Sequence, residues 1–192
     1  DKFVPKVRDT AKLLYKIYIV ITLLQMAVLL LAGMPLFDTL TLTFGTVGTG
    51  GFGVKNSSLG DYTSLQQNII TFFMIASGVN YSAYFFIISK NFKDAFKMEE
   101  VRWYFGIILA AVAILTFNTM HLYSGFGETL KHAFFQVASI ITTTGYSTTD
   151  FDLWPELSKS VIVLLMIIGA CAGSTGGGFK VSRIMILLKT VK

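Results

Sequence analysis

The chain has 192 residues, 53% of them hydrophobic and only 14% charged, with a formal net charge of +5 and a mean hydropathy of +0.64. A soluble domain carries about 25% charge, so this balance excludes an ordinary soluble domain and points to the bilayer. The single cysteine, Cys171, excludes a disulfide framework within the chain, and the net positive charge is distributed as a membrane-topology signal rather than a nucleic-acid patch.

The sequence opens on Asp1, with no short basic leader and cleavage site, and is expected to be a piece of a longer protein. Residues 1–16 form a basic lead-in. Leu13 to Gly33 is an apolar run of about the 20 residues that cross a hydrocarbon core of roughly 30 Å, with Lys16 placed to snorkel. Met34 to Phe44 is apolar but brief. As helix it rises about 16 Å, half a bilayer, and reads as re-entrant. Pro35 suits its first turn. Gly45 to Gly53 should not continue the helix, and a polar stretch, Lys55 to Ser64, follows. Leu65 to Ser89 is a second long span and Lys90 to Arg102 a charged connector. Trp103 to His121 is a third span, opened by interfacial aromatics. Phe126 to Ile141 is short again, with Glu128 at its favourable positive end. It delivers the chain to Thr142–Tyr146 and a polar segment, Ser147 to Glu156. The last span, Leu157 to Val191, is broken by Gly169, Gly173, Gly176, Gly177 and Gly178. Irregular backbone at membrane depth survives only where protein or a water-filled cavity satisfies it.

Two threonine/glycine turns organise this order. Thr49-Gly50-Gly51-Phe52 and Thr143-Thr144-Gly145-Tyr146 stand 94 residues apart, and the same offset maps Met34 onto Glu128 and Gln66 onto Ser160. The expected fold is an all-α membrane protein built of two tandem repeats, residues 1–95 and 96–192, each a span, a pore helix, a filter turn and a span. Each repeat crosses twice, so the two are parallel. Thirteen of the sixteen Lys and Arg residues fall in the lead-in, the connector and the C-terminal part, which puts both termini in the cytoplasm by the positive-inside rule. The turn-bearing side has only Lys55, Lys131 and Lys159 against Asp38, Asp61, Glu128, Asp150, Asp152 and Glu156, a mouth that concentrates cations.

A dehydrated alkali cation needs oxygens in place of its water shell, and successive backbone carbonyls supply them. The carbonyls of Gly50, Gly51, Thr144 and Gly145 are the expected ligands, with Thr49, Phe52, Thr143 and Tyr146 adjacent. A half-helix ending at each turn aims its negative end at the ion. No catalytic side chain is apparent. The run Ala172, Gly173, Ser174, Thr175, Gly176, Gly177, Gly178 is expected to be an irregular intramembrane loop that gates the path. Lys180 and Arg183 are gate partners or, more commonly for such residues, interfacial anchors.

At these residues the chain resembles a known family. Thr-Thr-Thr-Gly-Tyr-Ser-Thr-Thr-Asp-Phe (142–151), Thr-Val-Gly-Thr-Gly-Gly-Phe (46–52) and Cys-Ala-Gly-Ser-Thr-Gly-Gly-Gly-Phe-Lys (171–180) look like the Trk/Ktr/HKT superfamily of potassium transporters, closest to its TrkH-type pore subunits. The resemblance implies a potassium-conducting subunit of four repeats, of which this chain is similar to the second and third. It also implies that Gly51 and Gly145 are the filter glycines and that Gly173 to Gly178 form the gate below them. Potassium is then substrate, with no cofactor. The implied partners are the two missing repeats, a second copy as homodimer, and a cytoplasmic nucleotide-binding ring.

Other readings of the same residues are weaker. Gly48 to Gly53 fits G-x-G-x-x-G, but a half-helix precedes it where the dinucleotide motif needs a strand. Gly173 to Lys180 lacks the spacing of a phosphate loop, since Phe179 intervenes and Val181 follows. The glycine run could instead serve close helix packing. His121 and His132 are isolated and take no metal or catalytic role, and Cys171 reads as a small buried residue. The expected function is channel-like potassium uptake across the cell membrane, with no enzyme activity. The alternative is an ion-coupled secondary transporter with broken-helix sites.

Overall fold

The computed structural model describes residues 7–190; Asp1, Lys2, Lys6, Val191 and Lys192 lie outside them. Nine α-helices, α1 to α9 in chain order, and two single 3-10 turns make up the ordered elements among the described residues.

Helix α1, Val7–Leu31, takes in the six residues before the apolar run, because nothing in Val7 to Lys12 stops a helix. Helix α2, Leu36–Val47, is three turns long. Pro35 stands at its N-cap, one residue outside the expected first turn, and the helix runs through Gly45 to Val47 rather than ending at Phe44. The missing side chain at Gly45 is filled from elsewhere: the Tyr146 hydroxyl occupies the space where a Cβ would stand. Helix α3, Ser64–Gly78, opens on a capping box of Thr63 and Gln66, which satisfies two orphan backbone donors at once.

The second span is not continuous. It breaks into α3 and α4, Tyr81–Ile88, at an angle of 94°. A helix end leaves four carbonyls without intrahelical donors, and each one here has found a donor. Ile75 accepts from the Tyr104 hydroxyl (3.1 Å), Ala76 from the Tyr84 hydroxyl (2.6 Å), Ser77 from the Thr175 hydroxyl (3.2 Å) and Gly78 from the Cys171 amide (3.1 Å). Asn80 then caps α4 by accepting from the Ser82 amide at 2.9 Å. The connector is also more ordered than its charge suggests. It holds α5, Phe92–Lys97, and the first turn of α6, Glu99–Thr119.

Helix α7, Phe126–Ile141, is the centre of the molecule. It packs against α3, α6 and α8, and every residue from Phe135 to Ile141 is buried. Helix α8, Glu156–Ile168, and helix α9, Val181–Thr190, flank a non-helical stretch over 169–180, as the glycine run predicts. Lys189 of α9 lies 2.6 Å from the Glu99 carboxylate of α6. Many apolar side chains of α1, α8 and α9 face outward, among them Leu23, Leu31, Leu164 and Ile186. In water that would be a liability; against lipid or further helices it is not.

One packing contact at the break between α3 and α4 can be tested. A Cβ at Gly78 would lie 2.3 Å from the Tyr104 hydroxyl and 2.9 Å from the Thr142 methyl, and Tyr104 is fully buried. Gly78→Val is therefore expected to destabilise the purified protein by about 1–3 kcal/mol, the usual cost of overpacking. Tyr104→Phe should recover part of that loss in the double variant, because the hydroxyl is the first atom met. A thermal-unfolding cycle over the four proteins checks this; strictly additive losses would contradict it.

Candidate functional site

The site is built by two helix ends that close in the same way. Thr49 donates to Thr46 (3.1 Å) and Gly50 to Gly45 (2.8 Å); 94 residues on, Thr143 donates to Ile140 (3.0 Å) and Thr144 to Ser139 (2.9 Å), amide to carbonyl throughout. These are the paired bonds of a Schellman cap. Thr49 (φ 51°) and Thr143 (φ 58°) take its left-handed position. Glycine is the usual occupant, as at Gly33 after α1 (φ 76°), because a side chain there costs about 1–2 kcal/mol. Both turns then extend, with Gly51 (φ 69°) and Gly145 (φ 92°) left-handed in their turn.

The two turns touch. An ideal Cβ on Gly51 would lie 1.8 Å from the Thr144 carbonyl oxygen and 3.5 Å from the Gly145 Cα. So the Gly51 backbone sits directly against the Thr144–Gly145 backbone, brought there from opposite halves of the sequence. Gly145 has open space around it; its glycine is required by the backbone angle alone. The C-terminal end of α2 and that of α7, each with negative partial charge, both arrive at this point.

The residues after the glycines behave differently from one another. Tyr146 is buried to 1% exposure and its hydroxyl reaches back to the Leu42 carbonyl of α2 at 3.3 Å. The second turn is thus braced on the helix of the first. Ser139 adds a bond to the Tyr146 carbonyl at 2.5 Å. Phe52, at the matching position, is 80% exposed. The outer loop closes over the second turn: the Leu59 amide donates to Ser147 (2.9 Å), and Tyr62 donates to Asp38 (2.8 Å). Burial first, and the Asp38 carboxylate second, hold the Tyr62 phenol above its ordinary range, so it stays a neutral donor.

The 169–180 stretch lies against both turns. The Thr49 hydroxyl donates to the Thr175 carbonyl (3.1 Å), and the Gly177 amide donates to the Thr143 hydroxyl (2.6 Å). Its ends are pinned to each other, with Phe179 and Lys180 amides donating to Ile167 (3.1 Å) and Ile168 (2.8 Å). Gly173 accepts from the Tyr81 amide at 3.0 Å, so the stretch is also the seam with the broken α3–α4 pair. Lys180 donates its ammonium to the Gly176 carbonyl. Arg183 only overlies the Phe179 ring at 5.8 Å. Cys171 is fully buried. His132 stacks on Tyr123 at 5.0 Å and meets the Thr148 hydroxyl at 2.9 Å.

Two residues at this seam carry no expected role from the sequence. Glu100, 9% exposed, accepts from the Ala172 amide at 2.6 Å and from the Asn80 side chain at 3.1 Å. A buried carboxylate in the first turn of an apolar helix is a functional signal by default, and so is an asparagine within an apolar span. Both are hidden in the sequence: Glu100 among the charges of the connector, Asn80 among the small residues around it.

Residues 1–192 match the family model described as "TrkH: Cation transport protein". The chain belongs to the TrkH cation transport family. It is 38% identical over 193 residues to the Trk system potassium uptake protein TrkH of Salmonella typhimurium, covering 98% of this chain and 40% of that one. It is 32% identical over 196 residues to the Trk system potassium uptake protein TrkG of Escherichia coli, covering 100% of this chain and 40% of the relative. The crystal structure of the potassium transporter TrkH from Vibrio parahaemolyticus superposes with a TM-score of 0.89 at 32% identity, over 97% of this chain and 41% of that one. The chain is thus a TrkH-family membrane protein of all-α fold that spans about two fifths of the length of these curated relatives.

Proposed function

We propose that this chain supplies two of the four parts of a potassium-conducting pore, and that uptake of potassium across the cell membrane belongs to the longer protein. The observation that carries this reading is the contact between Gly51 and the Thr144–Gly145 backbone, made by two turns of the same backbone form 94 residues apart. The carbonyls of Gly50, Gly51, Thr144 and Gly145 replace the ion's water shell. Residues 1–95 and 96–192 act as parallel repeats, with both termini cytoplasmic and the turns open to the outside. Transport is channel-like rather than enzymatic, and potassium is cargo.

Phe52 supports an incomplete ring. Tyr146 braces the second turn on the helix before it in the ring, and by the same rotation Phe52 would brace on a preceding pore helix. Its exposure marks the side where another repeat docks. A second copy and a cytoplasmic nucleotide-binding ring are the further partners implied by the family. Residues 172–178 act as the gate, with Lys180 as an anchor that ties α9 to the loop through Gly176. A cavity of about 360 Å³ between α1 and Gly173–Thr175 offers room for the loop to move.

The test is ion flux in vesicles that hold the full-length protein. Gly145→Ser should weaken discrimination of potassium from sodium by about tenfold, the effect of roughly 1.4 kcal/mol in carbonyl alignment. Unchanged reversal potentials for the two ions would count against the filter assignment. Flux that requires a proton or sodium gradient would favour the coupled-transporter reading.

A further inference from the structure

We propose that Thr49 and Thr143 are positioning residues that latch the 169–180 loop to the two turns, so that filter and gate move as one unit. The proposal rests on the reading of the loop as the gate. Its starting point is an anomaly: the left-handed position of a Schellman cap suits glycine, and α1 uses Gly33 there. After α2 and α7 the same position holds threonine, whose branched Cβ makes it a poor occupant. Strained residues at a site point to a use for the side chain.

The hydroxyls supply that use. At one turn the Thr49 hydroxyl reaches the Thr175 carbonyl at 3.1 Å, 126 residues away, while sharing its hydrogen with its neighbour's Gly48 carbonyl at 2.8 Å. At the other, the Thr143 hydroxyl accepts from the Gly177 amide at 2.6 Å, 34 residues away. One threonine holds a loop carbonyl and the other a loop amide, two residues apart. The loop glycine at 177 lets Thr143 come this close: a Cβ there would lie 3.2 Å from its hydroxyl. The latch therefore bridges both halves of the chain through one short segment. A displacement of the loop pulls on both left-handed threonines, and a change in either turn is felt at the loop.

The experiment measures rubidium flux and potassium/sodium reversal potentials for the full-length protein in vesicles. Thr49→Val and Thr143→Val keep the shape and remove the hydroxyl; each should raise basal flux about fivefold, the net worth of one hydrogen bond. Thr49→Ser and Thr143→Ser keep the hydroxyl and should restore the original flux. Thr49→Gly and Thr143→Gly suit the left-handed backbone, fold without strain, and should also raise flux. In a protein lacking Gly176–Gly178, and with them the Gly177 amide that Thr143 accepts from, Thr143→Val should add nothing. Valine or glycine variants with unchanged flux, while the deletion does raise it, would overturn the latch and leave the gate. Equal increases from Thr143→Val with and without the deletion would overturn it as well, because the effect would not run through the Gly177 bond. A deletion without effect on flux would remove the gate reading, and the latch with it.

Discussion

Gly51→Ala in the full-length protein is expected to abolish selective potassium flux. Two independent costs fall on that one methyl group. The backbone at Gly51 is left-handed (φ 69°), which costs an alanine about 1 kcal/mol. The larger cost is spatial. The new Cβ would stand 1.8 Å from the Thr144 carbonyl oxygen and 2.9 Å from its carbon. Those are backbone atoms of the neighbouring turn, held by the Thr144–Ser139 bond at 2.9 Å, and they cannot swing aside as a flexible side chain would. The second turn must retreat by more than an ångström, and misplacement on that scale is enough to cost two orders of magnitude in a positioned site. Gly145→Ala is the internal control. It meets nothing within 4 Å and bears only the cost of its angle, so it should retain flux with reduced selectivity. Rubidium uptake and reversal potentials separate the two; equal behaviour of the variants would refute the close approach of the turns.

Deleting Gly176–Gly178 is expected to raise basal flux at least tenfold, on the order of 1.4 kcal/mol, and to leave selectivity intact. Three residues span about 10 Å when extended, more slack than the stretch can give up. Its two ends are already drawn together, with a Cβ at Gly169 only 2.5 Å from the Gly177 carbonyl and 2.7 Å from the Gly178 Cα. The deletion removes the Gly177–Thr143 bond and the carbonyl that Lys180 grips. What is left is held at the α3–α4 seam by Glu100 at Ala172 and by Thr175 at Ser77, and at the first turn by Thr49 at Thr175. The loop should therefore retract toward that seam and away from the second turn, where its hold on Thr143 is lost. Selectivity survives because the two Schellman caps and the Tyr146 brace use none of the deleted atoms. Unchanged flux would leave the glycines as a device for close packing.

The helices themselves were legible from local chemistry. Twenty-odd apolar residues, a proline, a glycine after a helix and a capping threonine act within a few residues, so their consequences can be read without knowing the fold. The second long span shows where that ends. Nothing in Gly78-Val79-Asn80 demands a bend of 94°, and the same residues are tolerated in straight helices. The break forms because Tyr104, Tyr84, Thr175 and Cys171 deliver donors to four freed carbonyls, and three of those four residues come from distant segments.

The sequence by itself determined the class of molecule, the two threonine/glycine turns and their common offset, and the interruption of the last span, because each is written in composition or in neighbouring residues. Only the tertiary structure decided that Gly51 lies against Thr144, that Tyr146 braces on α2 while Phe52 stays open, that Glu100 and Asn80 hold the base of the loop, and that both left-handed threonines bond to it. These are contacts between residues up to 126 positions apart. Sequence spacing carries no distance information at that range; packing and the need to satisfy every backbone group at membrane depth supply it.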